Sequence, residues 1–251
     1  FPQWPEEPFV EGLRALVQEC VSRTCPGAAA RPYWPQGKRY AVALTHDVDD
    51  ANGFRHLEAP RAVERKLGAP STFFFVTHTD PLDEAALRAL RDEGCEISAQ
   101  GYNHDCMLAW LPGDAMEDRL KRSAERLAEW GGGGSRSPWK GRTDPFSQRV
   151  AKHFSYDSSC PDSDGSSGVA TVFPFRRGAL LELPITAPID ADAILLGHEA
   201  SAPLRIWQEK LAYIRGLGGF ACITTHPAKY FGGNAVMLAT YETLLRSVVN
   251  D

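Results

Sequence analysis

Apolar residues recur along this chain in two rhythms, and the rhythms alternate. Dense runs of β-branched and aromatic residues without helical period stand at Tyr40–Leu44, Ser71–Thr77, Cys95–Ala99 and Phe220–Thr225. Such runs predict buried strands. Between them apolar residues return at helical spacing. Val10, Leu13, Leu16, Val17, Cys20 and Val21 predict an amphipathic helix over Phe9–Arg23. Asp83 is placed to cap a helix through Arg91, with Leu87 and Leu90 inward and Gly94 closing it. Met116, Leu120, Ala124 and Leu127 mark the inner face of a helix over Ala115–Trp130. Further helices are expected over His56–Leu67, around Phe146–His153, over Ala202–Leu217 and over Ala235–Val249. Shorter strands are expected near Val172–Phe175 and Ala179–Leu183, with a strand fragment at Ile194–Leu196. Glycines 131–134 read as a helix cap and loose loop, because no helix start follows them to cradle a phosphate. Residues 161–171 read as a surface loop. Repeated alternation of strand and helix predicts an α/β fold with a parallel sheet or barrel. We expect a single domain over 1–251: a helical extension over 1–37, then the barrel from 38 onward.

Composition narrows the function classes. The net charge is −5 and no basic block occurs, which argues against a nucleic-acid partner held through phosphates. No apolar run is long enough for a membrane span. The six cysteines, at 20, 25, 95, 106, 160 and 222, form no CxxC, so a thiolate zinc knuckle is not expected. They read as small buried residues, and a cytoplasmic location is favoured. A secreted or periplasmic one stays open, since a removed leader would leave no trace.

The candidate chemistry lies just after strand ends. Leu44 leads into Thr45-His46-Asp47-Val48-Asp49-Asp50; alternation puts Asp47 and Asp49 on one side of extended chain. His78, Gln100, His104, Arg136 and His226 follow other predicted strands. In a barrel all these positions share one rim. One such residue alone is more often structural. So many of the right types at the same place in the repeat point to a site. Two carboxylates there can divide labour, one holding a cation and the other taking a proton.

The order of motifs resembles the NodB-type polysaccharide deacetylases, carbohydrate esterase family four. The carriers are Thr45-His46-Asp47-Val48-Asp49, Gly101-Tyr102-Asn103-His104-Asp105, Arg136-Ser137-Pro138-Trp139 and Ile223-Thr224-Thr225-His226-Pro227. Tyr156-Asp157-Ser158-Ser159 and Glu182-Leu183-Pro184 resemble a D-x-D branch of that family. The resemblance implies a distorted (β/α) barrel of about seven strands. It implies a divalent metal, zinc first and cobalt or nickel as substitutes, and removal of N-acetyl groups from an amino sugar or polysaccharide. By position, Asp47 is the general base, Asp49 and His104 are metal ligands, and Arg136 pairs with Asp47. The Trp139 N–H helps hold the oxyanion, His226 is the general acid, and Ile223 belongs to the wall around the acetyl methyl.

The pattern departs from the family at Gln100, where the first of two histidines is expected. A carboxamide is a weaker zinc ligand than imidazole. Gln100 then binds weakly, or His78 substitutes, with His46 next, or the chain is a carbohydrate-binding relative that has lost its metal. Trp139 stands where the family usually has tyrosine, and Asp190 lies in a plausible place to orient His226. Cleavage of a non-sugar C–N bond is a further reading. His56, His153 and His198 read as surface residues. Trp34, Trp110 and Trp207 are left between a groove and a core or lid role.

Overall fold

β1 (Ala41–Val48) is the strand from which the architecture is best followed. It pairs in parallel with β2 (Thr72–Phe75) on one side and β8 (Phe220–Thr225) on the other. β3 (Glu96–Ala99), β4 (Gly134–Ser135), β5 (Tyr156–Asp157) and β7 (Leu180–Glu182) extend the sheet, all parallel. β6 (Phe175–Arg177) adds an antiparallel edge on β7. The eight-stranded order is β6-β7-β5-β4-β3-β2-β1-β8. Seven strands run parallel and β6 adds an antiparallel one, close to the expected number of about seven. β4 and β5 are not among the expected strands, and the strand expected near Val172–Phe175 starts only at Phe175. The structure, a computed structural model, describes residues 5–25, 27, 33–79, 81–162, 168–195 and 202–249.

The curled sheet forms a half-barrel, and backbone and side-chain hydrogen bonds of the segment after β7 reach across to β8. Ala187 N donates to Cys222 O (3.1 Å). Thr186 Oγ1 donates to Phe220 O (2.7 Å) and accepts from Cys222 N (2.7 Å).

Helices cover the outside: α1 (Pro8–Thr24), α2 (Ala51–Arg55), α3 (Glu58–Leu67), α4 (Glu84–Asp92), α5 (Gly113–Leu127), α6 (Asp144–His153), α7 (Asp190–Leu195), α8 (Ala202–Leu217) and α9 (Ala235–Val249). The outward strand faces meet them in two apolar clusters. One joins Phe73, Phe75 and Ile97 to Leu87, Leu120 and Phe146. The other joins Leu44, Ala221 and Ile223 to Trp207, Leu211 and Leu244. Ile223 thus faces the helix layer and not the rim, which corrects its expected place beside an acetyl methyl. Among the described residues no helix is long and apolar enough to cross a membrane.

Four local expectations are corrected. β1 does not stop at Leu44 but runs through Val48, because two neighbouring strands supply hydrogen bonds along it. Gly134 is not loose loop: it is in β4. A side chain at Gly132 would stand 2.1 Å from the Ile97 carbonyl, and one at Gly134 would stand 2.2 Å from the Tyr156 ring. The glycines admit close packing that no other residue allows. Ile194 and Leu195 end α7 instead of forming a strand; Leu196 and the His198 reading lie outside the described residues. The apolar stripe of α1 does not meet the core. Glu11 Oε1 accepts from Thr171 Oγ1 and Val172 N, and Arg14 lies over the Phe173 ring. Beyond that anchor Leu16, Val17 and Val21 are exposed, and so are Cys20 and Cys25, against the expectation of buried thiols.

His46 points outward from β1 into a buried polar cluster, so it cannot replace a ligand at the rim. Its Nε2 meets Glu64 Oε1 at 2.6 Å and its Nδ1 meets Thr225 Oγ1 at 2.8 Å. Glu64 also accepts from Ser71, Tyr241 and Arg61. Burial pushes the Glu64 carboxyl up, but His46 and these donors outweigh it and hold it at about 2, below its ordinary 4.5. A depressed carboxyl stabilises the fold above pH 4.5 and loses that contribution as pH falls towards 2. We expect the parent to lose on the order of 1–3 kcal/mol more than Glu64→Gln between pH 7 and pH 3. Urea titrations at both pH values measure this; parallel losses in the two proteins would refute it.

Candidate active site

The strand ends bring the rim residues to one cleft of about 470 Å³. Asp47, the seventh residue of β1, and Asp49, just past its end, both line it, as alternation requires. Gln100 follows β3, His104 lies in the next loop, Arg136 follows β4, and His226 follows β8.

Arg136 is 1% exposed and every side of its guanidinium is engaged. It donates to Asp47 Oδ1 (2.6 Å), Thr45 Oγ1 (3.0 Å), Ser158 O (2.9 Å) and Ser158 Oγ (2.8 Å). Its plane lies 4.2 Å from the centre of the Phe74 ring. Burial alone would favour loss of its proton; Asp47 overrides that and keeps the cation. This buried contact fixes the direction of the Asp47 side chain at the mouth of the cleft.

Facing it, His226 is held by Asp190, the first residue of α7. His226 Nδ1 stands 2.6 Å from Asp190 Oδ1, and His226 N donates to Asp190 Oδ2 (2.8 Å). Burial opposes protonation of this imidazole, but Asp190, then Asp49 and Asp47, raise it to about 10. Asp190 was legible only as an acid in roughly the right place. The Trp207 indole fixes the segment before it by donating to Pro188 O at 2.5 Å.

Between the two sides sit Asp49, Gln100 and His104. His104 Nε2 is 3.3 Å from Asp49 Oδ1, and His226 Nε2 is 3.7 Å from Asp49 Oδ2. Burial raises the Asp49 carboxyl, yet the His104 contact and the two imidazoles leave it below its usual range. His104 is raised in turn, first by its bond to Asp49. Gln100 Oε1 is buried and meets no hydrogen-bond donor, and Asp49 Oδ1 has only the long approach of His104. Two oxygens so poorly satisfied beside an imidazole fit the demands of a divalent cation. The set holds one carboxylate and one histidine; among the described residues no three His, Cys, Asp or Glu side chains gather as ligands.

His78 does not join this group. Its ring stacks on Tyr102, 4.1 Å centre to centre, beside Arg122. It does not line the cleft, so the structure does not place it as the substitute for Gln100. Trp139 does line the cleft, and it is 78% exposed. Trp139 and Lys140 both have positive φ (56° and 57°), a sharp turn held by Lys140 N donating to Ser137 O. Backbone strain of this kind concentrates at functional sites. Trp110 is exposed and its ring packs against Gly141 at the end of this turn. Trp34 instead donates to Gly218 O at 2.8 Å, away from the rim. His153 pairs with Glu117, and His56 bonds Asn52 O.

The sequence reading missed Ile189, Ala191, Asp192, Lys140 and Phe231, which also line the cleft. Phe231 lies 5.2 Å from the His226 ring, and Lys140 Nζ stands 3.6 Å from Asp192 Oδ2 across the opening. None of them lies in a motif; only the fold brings them here.

Residues 36–151 match the family model for polysaccharide deacetylase. That stretch, just under half of the chain, is similar to polysaccharide deacetylases. The solved structures with this fold include a polysaccharide deacetylase-type protein from Mycobacterium smegmatis (TM-score 0.70, 23% identity, 88% of each chain covered). PuuE allantoinase superposes at TM-score 0.70 with 14% identity, over 90% of this chain and 89% of its own. A family 4 carbohydrate esterase from Streptomyces lividans, in complex with acetate, gives 0.56 with 16% identity, over 84% and 88%. No curated protein matches the chain significantly. The family match supports a reading as a deacetylase-class enzyme.

Proposed function

We propose that this protein is a metal-dependent hydrolase that removes N-acetyl groups from an amino sugar or polysaccharide. The observation that carries the reading is the opposition of two locked groups across one cleft: Asp47 on Arg136 and His226 on Asp190. Asp49, His104 and Gln100 would hold the cation, zinc first and cobalt or nickel as substitutes. A cation bound there supplies Lewis acidity towards an amide carbonyl. Asp47, held in place by Arg136, takes the proton of the attacking water. His226, with Nδ1 committed to Asp190, presents Nε2 to protonate the departing amine. The Lys140 and Gly141 N–H groups are used by the Ser137 and Pro138 carbonyls. The Trp139 N–H is the donor proposed for the oxyanion. The exposed Trp139 indole offers a stacking face for a sugar.

Acetate release from N-acetylated glucosamine oligomers tests the reading. It should stop on chelation and return with zinc. Gln100→His should tighten zinc on the order of 10-fold, the scale on which changes around a metal act. Gln100 also favours the second reading, a carbohydrate-binding relative without activity. Sugar binding indifferent to chelator, with no acetate released, would establish that reading instead. Release of product only from small amides or cyclic ureides would move the substrate class away from sugars.

A further inference from the structure

Beneath the Arg136 turn lie two carboxyl groups that the proposed reaction does not use. Asp157 ends β5 and Glu182 ends β7, and they are register partners on adjacent parallel strands. Their side chains therefore leave the same face of the sheet. They are 1% and 0% exposed. Glu182 Oε1 accepts from Ser159 N (3.0 Å) and Cys160 N (2.8 Å), while Glu182 Oε2 is buried and meets no donor. Asp157 Oδ1 accepts from Ser159 Oγ (2.9 Å), and that oxygen accepts from Ser137 N (2.8 Å). Ser158, between them, holds Arg136 through both its carbonyl and its hydroxyl. The acid pair is thus wired to the turn that carries Arg136.

The local charges do not balance if both acids are ionised. Among the described residues the cation that acts on Asp157 is Arg136, and Asp47 already faces it; Arg142 acts on Cys160. Arg177, from β6, acts on Glu182 but is ion-paired with Asp144 outside. The Cys160 thiol also faces Glu182, and burial holds it above its ordinary range. Two neighbouring buried carboxylates cannot both stay ionised at low cost. One proton between them removes the excess and gives Glu182 Oε2 the partner it lacks. Burial pushes both carboxyls up, and the charge of Glu182 adds to the push on Asp157.

We propose that Asp157 and Glu182 share one proton and act as a single positioning unit for the Arg136–Trp139 turn, with one negative charge left behind Arg136. Arg136 then stands between two acids, Asp47 in front and the pair behind, and Ser158, next to Asp157, holds the guanidinium in place. The kinetic consequence of that positioning rests on the proposed function; the shared proton does not.

Infrared spectroscopy at pH 7 tests the shared proton on the unmodified protein. A protonated-carboxyl band is expected. Carboxyl-labelled aspartate and glutamate, incorporated separately, should each displace it. Asp157→Asn and Glu182→Gln should each remove it, since an amide facing a carboxylate keeps the shape and charge of the pair. Asp162→Asn, at the buried acid paired with Lys210, should leave it. No such band at pH 7, or one that either label leaves unmoved, would overturn the proposal. For the positioning role, the double variant should lower kcat for acetate release by roughly 10-fold with KM nearly unchanged, a larger loss than either single change gives. An unchanged kcat in the double variant, or a loss confined to KM, would overturn the positioning role. A parent protein that keeps the band but releases no acetate would overturn the proposed function and leave the shared proton standing.

Discussion

Asp47→Asn is expected to lower kcat for acetate release by about 10²- to 10⁴-fold, with a much smaller change in KM. Asparagine keeps the shape of the side chain. Its amide oxygen can still accept from Arg136 NH1, now 2.6 Å from Asp47 Oδ1. What is lost is the charge and the capacity to take a proton. The walls that would hold substrate, Trp139 and Phe231 among them, are untouched, so ground-state binding should persist. Metal content should also persist, because Asp49, Gln100 and His104 remain. Steady-state kinetics beside elemental analysis separates the two roles of the D-x-D carboxylates. If kcat stayed within a few-fold of the parent, Asp47 would not be the base. If metal were lost with activity, Asp47 would belong to the ligand set.

What could be read in the sequence follows from which forces are local. The strands at 41–48, 72–75, 96–99 and 220–225 declare themselves because outward faces packed on helices demand dense apolar runs. Asp49, His104 and His226 could be found because each follows a readable strand within a few positions; Asp47 and Arg136 could be found through their motifs. β4 could not, because two residues carry no period and its glycines serve a close approach to Ile97 and Tyr156 that no local pattern announces. Ile223 was assigned to the wrong face because its motif gives a sequence neighbour, not a strand direction. Asp190 lies 36 residues before His226, and only the strap along β8 brings them together. The stripe on α1 obeys helical spacing without meeting the core. Periodicity reports that a face is apolar, and the tertiary fold decides what covers it.

Arg136→Met is expected to cost about 3–5 kcal/mol of stability. Methionine occupies much of the volume, so the loss reflects charge more than a cavity. Asp47 would be left nearly buried with no cation, and Thr45 Oγ1 and both Ser158 oxygens would lose their donor. Exposed pairs such as Arg205–Glu209, 69% and 47% exposed, are worth at most about 1 kcal/mol. Arg136→Lys should recover little, since a single ammonium cannot satisfy acceptors on three sides of a planar fork. The double variant Asp47→Asn/Arg136→Met should be more stable than Arg136→Met alone, because it no longer strands a carboxylate. Urea unfolding of the four proteins gives the coupling directly. Additive losses, or a loss below about 1 kcal/mol for Arg136→Met, would mean that water reaches Asp47 and screens it. Coupling of the expected sign would mean that Arg136 supports the fold and positions Asp47 through the same contact.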